Sequence, residues 1–230
     1  MSLINITSIN KSYGRKEVLK NITFSGEAGD CIGIIGPNGC GKSTLLKILS
    51  GALKPTGGSI SLDGNNPLAN SAYFGSYIGY VPQENPLFAN LTAKDNLKLW
   101  YCDSKHDLTK DINEGLIYEF GITPYIKTPV YQLSGGMRKR LSIVCALAKD
   151  PKILILDEPG ASLDIIAKND IKTYMHKYAA AGGTIIIASH EEGELSVCNK
   201  MYLINNGILE AFDRIPDTAS IMERMIRNNV

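Results

Sequence analysis

Short apolar runs alternate with helix-like stretches along most of this chain. Leu3 to Ile9 switches between apolar and polar positions, the pattern of a half-buried strand. Val18 to Phe24 predicts a second strand, with Ser12-Tyr13-Gly14-Arg15 as the turn between them. Cys31 to Ile35 is short and wholly apolar, a buried strand that runs into a glycine-rich loop. Lys42 to Ser50 then reads as a helix ended by Gly51. Ser59 to Leu62 and Ile78 to Val81 predict further strands, with Asp63-Gly64 as a turn.

From Glu84 to Asp150 the strand signal almost vanishes. Thr92 looks like a cap before AKDNLKLWYC. Leu108 to Phe120 predicts a second helix, and Ser134 opens a third that Pro151 stops. The βα rhythm then returns. Ile153 to Leu156 is a strand leading into Asp157-Glu158, and Ile165 to Ala181 is a helix. TIIIAS is a strand, followed by a short helix over Glu191 to Val197. MYLIN and GILEAF pair, and DTASIMERMIRNN predicts a last helix. The pattern implies an α/β core with an antiparallel β region at its start and a helical segment, residues 84–150, inserted between two strands. A continuous helical stretch of that length is too long for an ordinary loop.

Composition narrows the reading. The chain has 230 residues, 44% apolar, enough to bury a core without disulfide or metal staples. Lys+Arg total 24 against 23 Asp+Glu, a formal charge of +1. That balance argues against a bulk electrostatic grip on nucleic acid, so none is expected as a partner. No apolar run approaches the roughly 20 residues that span a bilayer. MSLINITSIN does not read as a signal peptide. The five cysteines are odd in number and widely spaced, which suits a reducing cytosol.

The chemistry starts at Gly36-Pro37-Asn38-Gly39-Cys40-Gly41-Lys42-Ser43, which matches G-x-x-x-x-G-K-[ST] between a strand and a helix. Glycines let successive N–H groups point at phosphate oxygens, and the helix start adds its positive end. Lys42 is placed to reach the terminal phosphates, and the Ser43 hydroxyl to hold Mg²⁺. Cys40 lies near a helix N-terminus, a setting that can lower a thiol pKa. Asp157, delivered at the end of a buried strand, is the expected Mg²⁺ carboxylate. Glu158 follows at once and is positioned to orient and deprotonate an attacking water.

With these motifs in place, the sequence resembles the ATP-binding-cassette (ABC) ATPases, and the resemblance covers nearly the whole chain. Leu133-Ser134-Gly135-Gly136-Met137 resembles the family signature LSGGQ, with Met in the last place. The resemblance implies a P-loop NTPase core whose helical insert carries the signature. It implies ATP contacts from residues 36–43 and Thr44, and from Tyr13 stacked on adenine. Gln83 would be the Q-loop glutamine that touches Mg²⁺ and the attacking water, and His190 the switch histidine at the γ-phosphate. Ser162-Leu163-Asp164 would line the interface with a second cassette, whose ATP the signature closes on. Asp164 also suits a plain helix N-cap, and Gln83 taken alone would be an ordinary loop residue.

Three roles remain open at this level: the ATP-binding subunit of a membrane transporter, a soluble member acting on nucleic acid or the ribosome, and a soluble assembly factor of the iron–sulfur type. A single cassette with balanced charge disfavours the second. The stretch Leu91-Thr92-Ala93-Lys94-Asp95-Asn96-Leu97 resembles the L-T-x-x-E-N-L of exporter-type cassettes. There, Phe88, Leu91 and Trp100 would floor the groove that takes a membrane subunit's coupling helix, or Leu91 and Trp100 would instead be core residues of the helical insert. The resemblance therefore favours an exporter of drugs, peptides or similar cargo. The chain would be cytoplasmic, peripheral on the inner face of the membrane, with a separate permease as partner.

Overall fold

The computed structural model describes residues 2–84, 86–161 and 163–212. The helix expected over 217–229 and the expected interface residue Ser162 lie outside them.

Two sheets form. β1 (Ile4–Tyr13), β2 (Lys16–Gly26) and β4 (Gly57–Leu62) make an antiparallel sheet in the order β2-β1-β4. The larger sheet holds β5 (Ile78–Val81), β6 (Ile153–Asp157), β7 (Thr184–Ala188), β3 (Cys31–Ile35), β8 (Lys200–Asn205) and β9 (Ile208–Ala211), in that order. Its first five strands are parallel, and β9 closes the edge antiparallel to β8.

β3, β6 and β7 are buried at every position, which is why they read as unbroken apolar runs. Alternate residues feed two cores. Ile32, Ile34, Ile153, Ile155 and Ile186 pack with Leu45, Leu46 and Leu49 of helix α1 (Lys42–Leu49) and with the small sheet. On the opposite face Ile35, Leu154, Leu156, Ile185 and Ile187 pack with the helices between β5 and β6. Fully burying one such side chain is worth about 1.5–3 kcal/mol, so this two-sided sheet dominates the fold's stability.

A short helix, α2 (Ala72–Tyr77), precedes β5 and has no counterpart in the sequence expectation. Between β5 and β6 come α3 (Ala93–Tyr101), α4 (Leu108–Asn113), α5 (Leu116–Glu119) and α6 (Gly135–Leu147). Thr92 caps α3 as expected, accepting from the Asp95 amide. The single helix expected over Leu108 to Phe120 is two. It breaks at Gly115, where a Cβ would lie 2.3 Å from Asp111 Oδ1. The Asp111 carboxylate turns inward there and accepts from Tyr101 Oη at 2.7 Å. α7 (Ile165–Ala180) and α8 (Glu192–Leu195) complete the chain order, α8 being shorter than the expected Glu191 to Val197.

Candidate active site

The carboxyl ends of β3, β5, β6 and β7 converge, and each delivers one part of the site. This is where open α/β sheets bind ligands. β3 ends at Ile35 and releases the loop 36–41; β5 ends at Val81 ahead of Pro82-Gln83. β6 ends at Asp157 ahead of Glu158, and β7 at Ala188 ahead of Ser189-His190.

The loop's course depends on Gly36. Its φ is +153°, and a Cβ there would fall 2.2 Å from the Ile204 carbonyl oxygen, so no side chain fits. Lys42 is buried, and its Nζ donates to the carbonyls of Gly36 at 2.7 Å and Pro37 at 3.2 Å. The ammonium is thus held over the loop's hollow. No side chain caps the start of α1, which leaves its first amides to an anion.

Ser43 Oγ donates to Asp157 Oδ1 at 3.3 Å. Burial pushes the Asp157 carboxyl up, and the neighbouring Glu158 charge adds to this, against smaller lowering by the Ser43 hydroxyl, Lys47 and Lys42. A buried carboxylate beside a hydroxyl is a set of hard oxygen donors whose charge a cation would relieve, so these residues fit Mg²⁺.

Glu158 has a left-handed backbone, φ +46°, uncommon for a residue with a side chain. Its carboxylate is held on both sides: Gln83 Nε2 donates to Oε2 at 2.9 Å, and His190 Nε2 lies 3.3 Å from Oε1. Lys42, Ser43, Thr44, Gln83 and Glu158 line one cavity of about 350 Å³. Asp157 touches this cavity's lining through its Ser43 bond, and His190 through Glu158.

Other expected residues lie elsewhere. Tyr13 ends β1, half exposed, with Lys11 Nζ 5.1 Å from its ring centroid. Ser134 caps α6 by accepting the Met137 amide at 3.2 Å, and Leu133 is buried beneath it. None of Leu133 to Met137 lines the phosphate-loop cavity. Asp164 caps α7, accepting the Ala167 amide at 2.8 Å, and Leu163 packs against the core. An ion pair of 2.5 Å between Arg140 and Asp170 ties α6 to α7.

Two expectations change. The Cys40 thiol is pushed up, not down: it is more than half enclosed, and desolvation outweighs Lys42 and the nearby amides. Leu91 does not line the apolar groove beside α3. That groove, about 510 Å³, is walled by Ile78, Phe88, Leu99, Trp100 and Pro151.

Three contributors escape sequence reasoning. Ser189 Oγ donates to the buried Glu194 at 2.5 Å and accepts the Glu191 amide at 2.9 Å, which fixes the turn that carries His190. Asn96, fully buried, accepts the Phe88 amide at 2.8 Å and donates to the Phe88 and Thr92 carbonyls. Lys139 is buried against the loop that carries Gln83. It shares a helical face with Ile143 and Leu147, and a charged head on an apolar stripe was the one available signal.

Residues 19–161 match the family model described as "ABC transporter". The chain belongs to the ABC transporter family. It is 36% identical over 210 residues to the Nod factor export ATP-binding protein I of Sinorhizobium fredii, covering 89% of this chain and 60% of that protein. It is 34% identical over 222 residues to the linearmycin resistance ATP-binding protein LnrL of Bacillus subtilis, covering 95% of this chain and 71% of the relative. The chain thus spans less than two thirds of the length of the first. Among solved structures, a dimeric bacterial ABC transporter cassette superposes with a TM-score of 0.84 at 25% identity, covering 93% of this chain and 99% of that one. The ABC cassette fold therefore accounts for both sheets and for the helices between β5 and β6.

Proposed function

We propose that this ABC cassette binds and hydrolyses ATP to power an exporter, paired with a second cassette and docked on a separate membrane permease. One observation carries the reading. A single cavity brings Lys42 and Ser43 of the phosphate loop together with Glu158, whose carboxylate is held by Gln83 and His190.

In this reading residues 36–44 hold the triphosphate by backbone amides and the Lys42 ammonium, and Tyr13 stacks on adenine. Ser43, Asp157 and Gln83 would hold Mg²⁺, which would neutralise charge building on the phosphates. Glu158 takes the proton of the attacking water, Gln83 orients that water, and His190 contacts the γ-phosphate. Residues 84–150 act as a helical subdomain. Its signature, Leu133 to Met137, presents the start of α6, with the Gly135 and Gly136 amides, to the partner's ATP. Leu163 and Asp164 face the second cassette.

The names of the relatives, Nod factor export and linearmycin resistance, support export. No helix among the described residues is long and apolar enough to cross a membrane, and in this reading a separate permease supplies the path. The groove walled by Phe88, Leu99 and Trp100 suits an apolar helix of that permease, which would hold the cassette at the cytoplasmic face.

Glu158→Gln tests the reading. It keeps the shape and one acceptor oxygen but cannot take a proton. ATP affinity should persist, turnover should fall by about 10²-fold or more, and an ATP-bound dimer should accumulate in gel filtration. Hydrolysis at the normal rate would remove Glu158 from this role.

A further inference from the structure

Lys139 stands one turn into α6, five residues beyond Ser134, with 3% of its surface exposed. Its Nζ donates to two carbonyl oxygens of the segment after β5, Pro82 and Gln83, each at 3.2 Å. No carboxylate partners it directly among the described residues. Burial pushes its pKa down, against the more distant charges of Asp157 and Glu194, which only partly offset it. A buried ammonium satisfied only by main-chain carbonyls is costly to keep and is a poor choice for packing alone.

The contacts continue past Lys139. Gln83 accepts from it through the main chain and donates with its side chain to Glu158 at 2.9 Å. His190 closes on the other Glu158 oxygen at 3.3 Å. An unbroken line thus runs from the helix headed by the signature motif to the carboxylate in the cavity of the same chain. Arg138 and Arg140, on either side, turn to other partners: Arg138 to the Leu133 carbonyl and Arg140 to Asp170.

We propose that Lys139 is a positioning residue that fixes the main chain at Pro82-Gln83, so that the Gln83 side chain reaches Glu158 only while α6 is in place. Residues that face a partner's nucleotide are thereby tied to the geometry of this chain's own site. The inference rests on the ATPase reading above. Its failure is separable from that reading's, because ATP hydrolysis by the unaltered chain is measured first and the variants are then compared with it.

The test is a double-mutant cycle on the full chain, with Lys139→Met, Gln83→Ala and the double variant. Lys139→Met keeps length and apolar stem but removes the donors. It should lower kcat by about tenfold, as for other losses of positioning, with little change in the KM for ATP. Lys139→Arg, which keeps donors, should recover most of the rate. The decisive comparison is with Gln83→Ala: once the side chain is gone, adding Lys139→Met should cost no further rate. If the two losses multiply, or if Lys139→Met hydrolyses ATP normally, the proposal is wrong. Should Lys139→Met fail to fold, Lys139→Gln enters the same cycle with the same criteria.

Discussion

Gln83 Nε2 and Glu158 Oε2 meet at 2.9 Å, although 75 residues separate them in sequence. The contact joins the segment after β5 to the residue after β6, two strands that lie side by side in register. With His190 3.3 Å from the other oxygen, the carboxylate is held from both sides. Its left-handed backbone adds to this, since Glu158 N donates to the Ala188 carbonyl at 2.8 Å and so holds the turn against β7.

Removing either brace should disorient the base without emptying the phosphate loop. His190→Ala and Gln83→Ala should each lower kcat by about 10²-fold, at the low end for general-base catalysis, while ATP affinity changes by less than a factor of about 3. Equilibrium binding of a fluorescent nucleotide and steady-state phosphate release separate the two. A large loss of affinity with preserved kcat would mean that these residues bind substrate and do not aim the base.

Cys40 sits in the phosphate loop, and its thiol is raised by burial. Its thiolate fraction at neutral pH is therefore smaller than that of an ordinary thiol, and its reactivity grows as pH rises past the usual thiol range. Iodoacetamide should inactivate nucleotide binding slowly at pH 7 and progressively faster toward pH 9.5, ATP should protect, and Cys40→Ser should abolish the loss. The exposed Cys102 provides the internal comparison. Fast inactivation at pH 7 with no further rise would contradict the raised thiol.

Much of this was legible in the sequence, for reasons that differ from place to place. β3, β6 and β7 read correctly because strands buried on both faces leave nothing but apolar residues to see. Thr92 read as a cap, Ser134 as a helix start and Asp164 as an alternative cap, because capping is local chemistry within three residues. The break at Gly115 did not read, because it depends on Asp111 turning in to meet Tyr101, ten residues back. The Lys139 contact spans more than fifty residues, and the enclosure of Cys40 depends on how its loop packs, so both are visible only once the strands are assembled.

At the opposite end of β3, Asp30 ties the turn that precedes β3 to the start of β8. It accepts from the Glu27 amide at 2.7 Å, from Asn199 Nδ2 at 3.0 Å and from Lys200 Nζ at 2.7 Å. Burial alone would raise its carboxyl, but the Glu27 amide, Lys200 and Asn199 together outweigh it and hold it below the usual range. A carboxylate lowered in the folded state stabilises above its unfolded value, about 3.9, and that contribution is lost as pH falls through the lower folded value. Asp30→Asn should therefore cost about 1.5–3 kcal/mol at pH 7, and the gap between variant and parent should narrow toward pH 3. Urea unfolding at the two pH values measures this; an equal gap at both would mean that the ionised form is not what stabilises.

Phe88 presents its ring on the surface, 61% exposed, from a main chain that Asn96 holds by hydrogen bonds in both directions. An exposed aromatic on a rigid support, at the mouth of a groove walled by Leu99 and Trp100, is the arrangement that an apolar anchor requires. Phe88→Glu should weaken co-purification with the permease by about tenfold or more, as for loss of a central contact, and leave nucleotide affinity of the isolated cassette untouched. Asn96→Ala should have a softer form of the same effect, because it frees the loop but keeps the ring. It should also lower stability by about 1–3 kcal/mol, since the Phe88 amide and carbonyl lose their buried partner. Undiminished assembly in Phe88→Glu, measured on detergent-solubilised complex, would place the permease on another face.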